Sequence, residues 1–204
     1  MADLFIIGQF EGVASTTAVS VGSQVMHMLT VMIVGLAMGT TVSIAQNIGA
    51  GDRRKAAQAV GNTVVLFVSV SVALTVLLLL LVRPIVSVMS TPAEAVEGTV
   101  EYLTVCFIGI PFITAYNIIS SIFRGMGDSR SPMYFIAIAC VTNIVLDYVF
   151  MGALHLGPVG AALGTTVSQA ASVAISLFVI RRRHSIPFDM KDFKPENAVM
   201  GKLL

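Results

Sequence analysis

Long apolar runs without charged side chains dominate this chain. Five segments contain no Asp, Glu, Lys or Arg, and they cover residues 12–51, 56–82, 102–123, 131–146 and 148–180. A membrane-spanning helix needs about 20 mostly apolar residues, whereas the strands of a membrane barrel alternate in polarity over about 10 residues. The apolar residues here follow one another without alternation. The pattern therefore predicts an all-α protein whose helices cross a membrane.

Helix-breaking residues divide these runs into separate elements. Arg83 and Pro84 end one run, and Thr91 followed by Pro92 is typical of a helix start. Pro111 lies inside the next run, where we expect it to kink the helix. The sequence predicts a short segment at 1–10 and full helices near 15–48, 54–82, 92–123, 131–151 and 158–182.

Composition and charge support a membrane location and predict the orientation. The chain is 56% hydrophobic and only 11% charged, whereas soluble domains carry about 25% charged residues. Arg83 lies between two predicted helices, and the other eleven Lys and Arg residues fall at 53–55, 124–130 and 181–202. Basic loops stay in the cytoplasm. We therefore expect a multi-pass plasma membrane protein with a cytoplasmic tail after residue 182, and no nucleic-acid partner.

The apolar segment 1–10 is too short to cross a bilayer. Asp3 lies eight residues before Glu11, which corresponds to about 12 Å along a helix and places it near the middle of the bilayer. A charged chain terminus is costly at that depth. We therefore expect a truncated first helix, from a gene fragment or a mistaken start codon. The alternative leaves residues 1–10 as an external or interfacial stub.

Two acidic residues, Asp3 and Asp147, fall at similar depths within predicted spans. Asn143 shares a helix face with Asp147, and Thr165 reaches the same layer on the next helix. Acidic residues inside a membrane are functional candidates, and carboxylate, amide and hydroxyl oxygens suit Na⁺ or a proton. We predict a cation-binding site at these four residues. The alternative is that Asn143 and Thr165 only join helices, at about 0.6 kcal/mol each.

Other chemistry is not indicated by the sequence. No Ser-His-Asp pattern, phosphate-binding loop or paired metal motif is present, so we expect neither an enzyme nor a cofactor beyond a coupling ion, H⁺ or Na⁺. Five further polar residues within predicted spans could line a cavity, although each is also compatible with simple packing. They are Gln24, His27, Asn62, Asn117 and Gln169.

Several short motifs, taken in order, resemble those of the multidrug and toxic compound extrusion (MATE) family. Residues 3–8 resemble the end of that family's first helix, and 45–51 resemble the loop after its second. Residues 124–132, Arg-Gly-Met-Gly-Asp-Ser-Arg-Ser-Pro, resemble its loop between helices four and five. Residues 143–150 and 157–169 resemble its fifth and sixth helices. Each motif alone is weak, but together they cover nearly the whole chain.

The resemblance implies a twelve-helix antiporter that exchanges H⁺ or Na⁺ for organic cations and other amphipathic drugs. It implies that residues 1–183 form the N-terminal six-helix lobe, with its first helix truncated, and that 184–204 lead toward a missing C-terminal lobe. It also implies an N-lobe cation site at Asp3, Asn143, Asp147 and Thr165. Membrane lipid and a small drug-like substrate are the expected partners. The alternatives are a lipid-linked saccharide flippase of the same superfamily and a non-transporting membrane subunit.

Overall fold

The computed structural model describes residues 2–183, and every regular element in this part of the chain is a helix. The α-helices are α1 Ala2–Phe10, α2 Val13–Gly49, α3 Arg53–Val88, α4 Val96–Ile108, α5 Ile110–Gly125, α6 Arg130–Asp147 and α7 Gly157–Arg183. A 3₁₀ turn, Ala93–Ala95, precedes α4, and a π-helical segment, Tyr148–Ala153, follows α6. The predicted all-α fold is confirmed. The predicted cytoplasmic tail at 184–204 lies outside the described residues.

The lengths and surfaces of the helices suit a bilayer. Within the described residues, four helical stretches are long and apolar enough to cross a membrane, and α4 with α5 form a fifth, bent span. Large apolar side chains point outward along these spans; Met28, Leu80 and Val88 are 77%, 76% and 83% exposed. Apolar surface of this extent is expected where lipid, rather than water, surrounds the helices.

The positions of Pro84 and Pro111 within the helices differ from those that the sequence predicts. We expected Pro84 to end a helix near residue 82, but α3 continues to Val88, and the N–H of Met89 still donates to the carbonyl of Ile85 at 3.1 Å. The reason is that an internal proline removes a single hydrogen bond and leaves later ones intact. The predicted helix 92–123 is bent by 47° at Gly109, which places Pro111 in the first turn of α5.

The helix α5 lies at the centre of the bundle, and most of its side chains are buried. It packs against α2, α3 and α7; α6 packs on α7, and the short α1 packs on α2 and on the π-helical segment. We call the end that carries the α2–α3 and α5–α6 loops the inner end, and the opposite end the outer end. The apolar core is divided accordingly, with Val19, Leu103 and Phe107 in the outer half and Ile44, Phe67 and Ile122 in the inner half.

The two inner loops have the same construction. Each contains a glycine with positive φ, Gly51 at 75° and Gly127 at 86°, followed by an aspartate. Asp52 accepts a hydrogen bond from the N–H of Lys55 at 3.0 Å, and Asp128 accepts one from the N–H of Ser131 at 3.1 Å. These carboxylates satisfy backbone donors at the starts of α3 and α6. Both aspartates therefore have a structural role in turning the chain.

Candidate functional site

The candidate site is built around Asp147, the last residue of α6. Its side chain is completely buried, and neither carboxylate oxygen accepts a hydrogen bond from any group that the structure describes. A buried polar group without a partner is costly, and a buried charge is more costly still. Asp147 is therefore placed where an additional proton or cation would stabilise it.

The carboxyl group of Asp3, on α1, lies beside that of Asp147. Asn143, one turn before Asp147 on α6, connects Asp3 with α7. When its NH₂ group faces α1, it donates to Oδ1 of Asp3 at 3.3 Å while its carbonyl oxygen accepts from the N–H of Thr165 at 3.3 Å. In the opposite amide orientation, the NH₂ group donates to the Thr165 hydroxyl at 3.5 Å. The structure thus brings all four predicted site residues together.

The close approach of α7 to this site depends on Gly164. This glycine faces Asp147 so closely that an added Cβ atom would collide with the carboxylate oxygen Oδ1. A glycine in a helix interior costs stability relative to alanine, so its position requires a packing reason, and the carboxylate provides one. Gly164 carries no recognisable signal in the sequence, because a glycine within a helix does not indicate which neighbour approaches it.

Tyr102 on α4 was also not identified from the sequence. Its side chain is buried, its ring packs directly against Gly22 of α2, and its phenol lies within the electrostatic range of Asp3 and Asp147. Tyr102 therefore contributes a buried aromatic wall between the site and α2. The only available signal was the position of Tyr102 at the start of an apolar run, which does not reveal the direction of its side chain.

The backbone after Asp147 widens into the π-helical segment. There the N–H of Leu154 donates to the carbonyl of Val149 at 3.0 Å, five residues back. Tyr148 makes an edge-to-face contact with Phe10 at the end of α1, with ring centroids 6.3 Å apart. Short π-helical segments are frequent at functional sites. This contact holds the helix that carries Asp3 against the end of the helix that carries Asp147.

A cavity of about 780 Å³ opens between α1 and α2. Its lining includes Asp3, Ser23, Gln24, His27 and Met28. Two of the polar residues that the sequence suggested as cavity-lining, Gln24 and His27, therefore do line this cavity. Asp3 belongs both to this cavity and to the cluster around Asp147. The cavity and the cluster therefore share the Asp3 side chain.

The other polar candidates lie elsewhere. Asn117 donates to the carbonyl of Ile113 at 2.8 Å, one turn back on α5, and this bond satisfies it within its own helix. Asn62 is buried on α3, and Gln169 is partly buried on α7. None of the three lines the α1–α2 cavity. Their positions are consistent with packing between helices.

The donor set around Asp147 consists of carboxylate, amide and hydroxyl oxygens. Among the described residues, no three His, Cys, Asp or Glu side chains converge in a way that could hold a metal ion. Oxygen donors of this kind suit hard cations or a shared proton. The oxygens of Asp147 fit such an ion, because the residues that the structure describes supply them with no hydrogen-bond donor.

Comparisons with known proteins agree with this architecture. A family model described as MatE matches residues 1–149. The chain is 31% identical to the "Probable multidrug resistance protein YpnP" of Bacillus subtilis (strain 168), over 98% of this chain and 46% of that protein. It is 25% identical to the "Multidrug export protein MepA" of Staphylococcus haemolyticus (strain JCSC1435), over 98% of this chain and 45% of that protein.

Solved structures show the same relationship. The chain matches the outward-facing conformation of a multidrug resistance MATE family transporter of the MOP superfamily with a TM-score of 0.92, at 28% identity, over all of this chain and 45% of that one. It matches a MATE crystal structure in the bent conformation with a TM-score of 0.93, at 28% identity, over all of this chain and 46% of that one. The chain thus spans about half the length of these relatives.

Proposed function

The chain belongs to the MatE family, and from that membership we propose that it forms one lobe of an antiporter that exports drugs or organic cations in exchange for H⁺ or Na⁺. The relatives named as multidrug proteins are about twice as long. A second lobe would cover the α1–α2 cavity. The observation that carries the proposal is the buried, unpartnered Asp147 beside Asp3.

Cation binding would change the energy of this cluster. Two neighbouring carboxylates in a medium of low dielectric repel each other strongly when both are charged. One H⁺ or Na⁺ between them removes most of that repulsion. Because the carboxylates are on different helices, α1 and α6, a cation favours the packing in which these helices are close. The loss of the cation favours their separation, which is the differential binding that a coupled transporter requires.

The amide orientation of Asn143 would change with cation occupancy of the cluster. With Asp3 charged, the NH₂ group of Asn143 donates to its carboxylate. When a proton or Na⁺ occupies the cluster, the amide carbonyl oxygen of Asn143 becomes the better partner for the protonated or Na⁺-bound Asp3. The NH₂ group then faces Thr165, whose hydroxyl lies within 3.5 Å. A single amide rotation would thus transmit the change from α1 to α7.

The cavity suggests the class of cargo. Among the described residues that line it, Asp3 and His27 are the titratable groups and none is Lys or Arg. A saccharide flippase acting on phosphate-linked lipids calls for a basic cavity, so the lining favours cationic amphipathic cargo. Met28 and the neighbouring valines provide apolar contact. Because Asp3 serves both the cavity and the cluster, cargo and coupling cation would compete for it, and such competition produces exchange.

The orientation follows from the basic residues at the inner end. Arg54, Lys55, Arg124 and Arg130 lie in or beside the two inner loops. Lys and Arg concentrate on the cytoplasmic side of membrane proteins. The proposal therefore places the inner end in the cytoplasm and the cation cluster in the outer half of a plasma membrane, with lipid around the bundle.

Cation binding is tested with the purified chain in detergent. We expect Na⁺, or a lower pH if the proton is the coupling ion, to raise the unfolding temperature of the wild type. Asp147→Asn should abolish this response, because the variant lacks the second charge. Asp52→Asn is the matched control, since it removes a partly exposed carboxylate of the inner loop, far from the cluster. Equal responses in wild type and Asp147→Asn would refute the proposed cluster.

Transport is tested in the source organism with the chromosomal gene. Asp147→Asn should raise ethidium accumulation as much as deletion of the gene does, while Asp52→Asn should leave accumulation unchanged. Accumulation in the Asp147→Asn strain equal to that of the wild type would refute the coupling role.

A further inference from the structure

Arg83 is a basic residue in an otherwise apolar part of the chain. No other Lys or Arg occurs between residues 56 and 123. Arg83 lies five residues before the outer end of α3 at Val88, which is about 8 Å along the helix and near the depth of lipid headgroups. Its side chain is exposed and makes no ion pair with any residue that the structure describes. An arginine at this depth extends its guanidinium toward the lipid headgroups.

A concave site surrounds this arginine. A cavity of about 400 Å³ lies between the end of α3 and the start of α4. Arg83, Ser87 and Thr91 contribute its polar groups, and the Thr91 hydroxyl donates to the carbonyl of Val86 at 3.1 Å. Its remaining walls are apolar, namely Val86, Ala93, Val96 and Val100. The cavity therefore combines a guanidinium group and hydroxyls with a hydrocarbon wall.

An apolar stripe on α3 leads from this cavity toward the bilayer centre. Val72, Val76 and Leu80 lie four residues apart and are 54%, 55% and 76% exposed. This spacing places them on the helix face that continues to Arg83. The distance from Val72 to Arg83 is about 16 Å along the helix, close to half of a hydrocarbon core of about 30 Å. The stripe has the length of one acyl chain.

We propose that this surface binds one membrane glycerophospholipid. Its phosphate accepts hydrogen bonds from the Arg83 guanidinium and the Ser87 hydroxyl within the cavity, and an acyl chain lies along the stripe of α3. A guanidinium group matches a phosphate through two parallel hydrogen bonds. Exposed Glu94, Glu97 and Glu101 each follow a lining residue of the cavity in the sequence. Their negative charges oppose further negative charge near the site, so it favours a headgroup with a single phosphodiester. The inference does not depend on the transport proposal.

Native mass spectrometry of the full chain in detergent tests this site. The probes are palmitoyl-oleoyl phosphatidylglycerol, the uncharged diacylglycerol with the same chains, and glycerol phosphate without chains. We expect the wild type to retain one phosphatidylglycerol and neither comparator. Arg83→Gln should weaken retention about tenfold, the usual loss for a hydrogen bond to a charged group. Arg181→Gln, which removes an exposed arginine at the inner end, is the control and should bind as the wild type.

Three outcomes would overturn the proposal. Equal retention by Arg83→Gln and wild type would exclude the guanidinium. Equal binding of the diacylglycerol would show that the stripe acts without a phosphate, and binding of glycerol phosphate would identify a site for small anions. Ser87→Phe fills the cavity but keeps Arg83, so it should lose the lipid as Arg83→Gln does. Wild-type retention by Ser87→Phe would exclude the cavity even if Arg83→Gln does not fold.

Discussion

The inner and outer halves of the bundle both bury polar side chains, but among the described residues the buried acid lies in the outer half. In the inner half, Thr63 donates to the carbonyl of Ala59 at 2.7 Å, and Thr41 reaches the carbonyl of Ser121 on α5 at 3.2 Å. In the outer half, Asp147 has carboxylate oxygens that accept no hydrogen bond from the described residues. Buried neutral groups hold helices together whatever the ion concentration, whereas a buried acid without a hydrogen-bond donor makes the packing depend on a cation.

The energies of the two arrangements differ in the same sense. Neutral hydrogen bonds between membrane helices contribute about 0.6 kcal/mol each. An uncompensated buried charge costs about 3–5 kcal/mol. The packing of the inner half should therefore have the same stability with and without a cation. The packing of the outer half should become more stable when a cation binds. This difference predicts where substitutions should be costly and where they should respond to cations.

The largest expected effect comes from moving an acid into the inner half. Asn117→Asp should destabilise the chain by about 3–5 kcal/mol at neutral pH, because position 117 is buried and the new negative charge would lack a compensating cation. Thermal unfolding in detergent measures the change. The isosteric control in the outer half, Asp147→Asn, should be neutral or stabilising without added cation. A loss below about 1 kcal/mol for Asn117→Asp would contradict the comparison.

A smaller effect is expected from filling the space beside Asp147. Gly164→Ala should cost about 1–3 kcal/mol through overpacking, and it should also abolish the stabilisation by cations. The matched control is Gly35→Ala on α2, where an added Cβ atom meets nothing within 4 Å. That control should keep the cation response and gain up to about 1 kcal/mol. A cation response in Gly164→Ala equal to that of the wild type would show that the contact between α7 and Asp147 is not needed for cation binding.

A third substitution separates packing from cation binding. At Gly125, an added Cβ atom would lie 2.9 Å from Cβ of Ile44, so Gly125→Ala should also cost about 1–3 kcal/mol. Because this contact is in the inner half, the rise in unfolding temperature on adding cation should be unchanged. The unfolding temperatures of Gly164→Ala and Gly125→Ala, each measured with and without cation, therefore distinguish a loss of packing from a loss of cation binding. A lost response in Gly125→Ala would show that the halves are coupled.

The smallest effect concerns the loop between α2 and α3. The hydrogen bond from the Lys55 N–H holds the pKa of Asp52 below its ordinary value. Its stabilisation of the start of α3 is therefore complete above the ordinary pKa of about 4 and is lost as the pH falls through the lower, folded-state value. The protection factor of the Lys55 amide, which compares its hydrogen exchange with the intrinsic rate at each pH, should fall in that acidic range. Asp52→Asn, which caps without titrating, should remove the pH dependence.

Sequence reasoning succeeded where depth along a helix was sufficient. Counting residues from the turns placed Asp3, Asn143, Asp147 and Thr165 in one layer, and the structure brings their side chains together. Their role in binding a cation stays a prediction. The all-α membrane fold and the family resemblance are confirmed by the structure and the family match.

Sequence reasoning failed where the rotation of helices and their close approach decide the outcome. Gly164 and Tyr102 have no local pattern that marks them, because their importance comes from Asp147 and Gly22 on other helices. The bend was expected at Pro111, but it lies two residues earlier, at Gly109. The reason is that proline is favoured in the first turn of a helix, so α5 begins just before Pro111.

The most direct test is a double-mutant cycle on Asp3 and Asp147, read as the increase in unfolding temperature on adding Na⁺ or H⁺. If both carboxylates hold the same cation, Asp3→Asn and Asp147→Asn should each remove most of the increase, and the double variant should remove no more than either alone. Strictly additive losses, with each single variant keeping half of the response, would contradict a shared site.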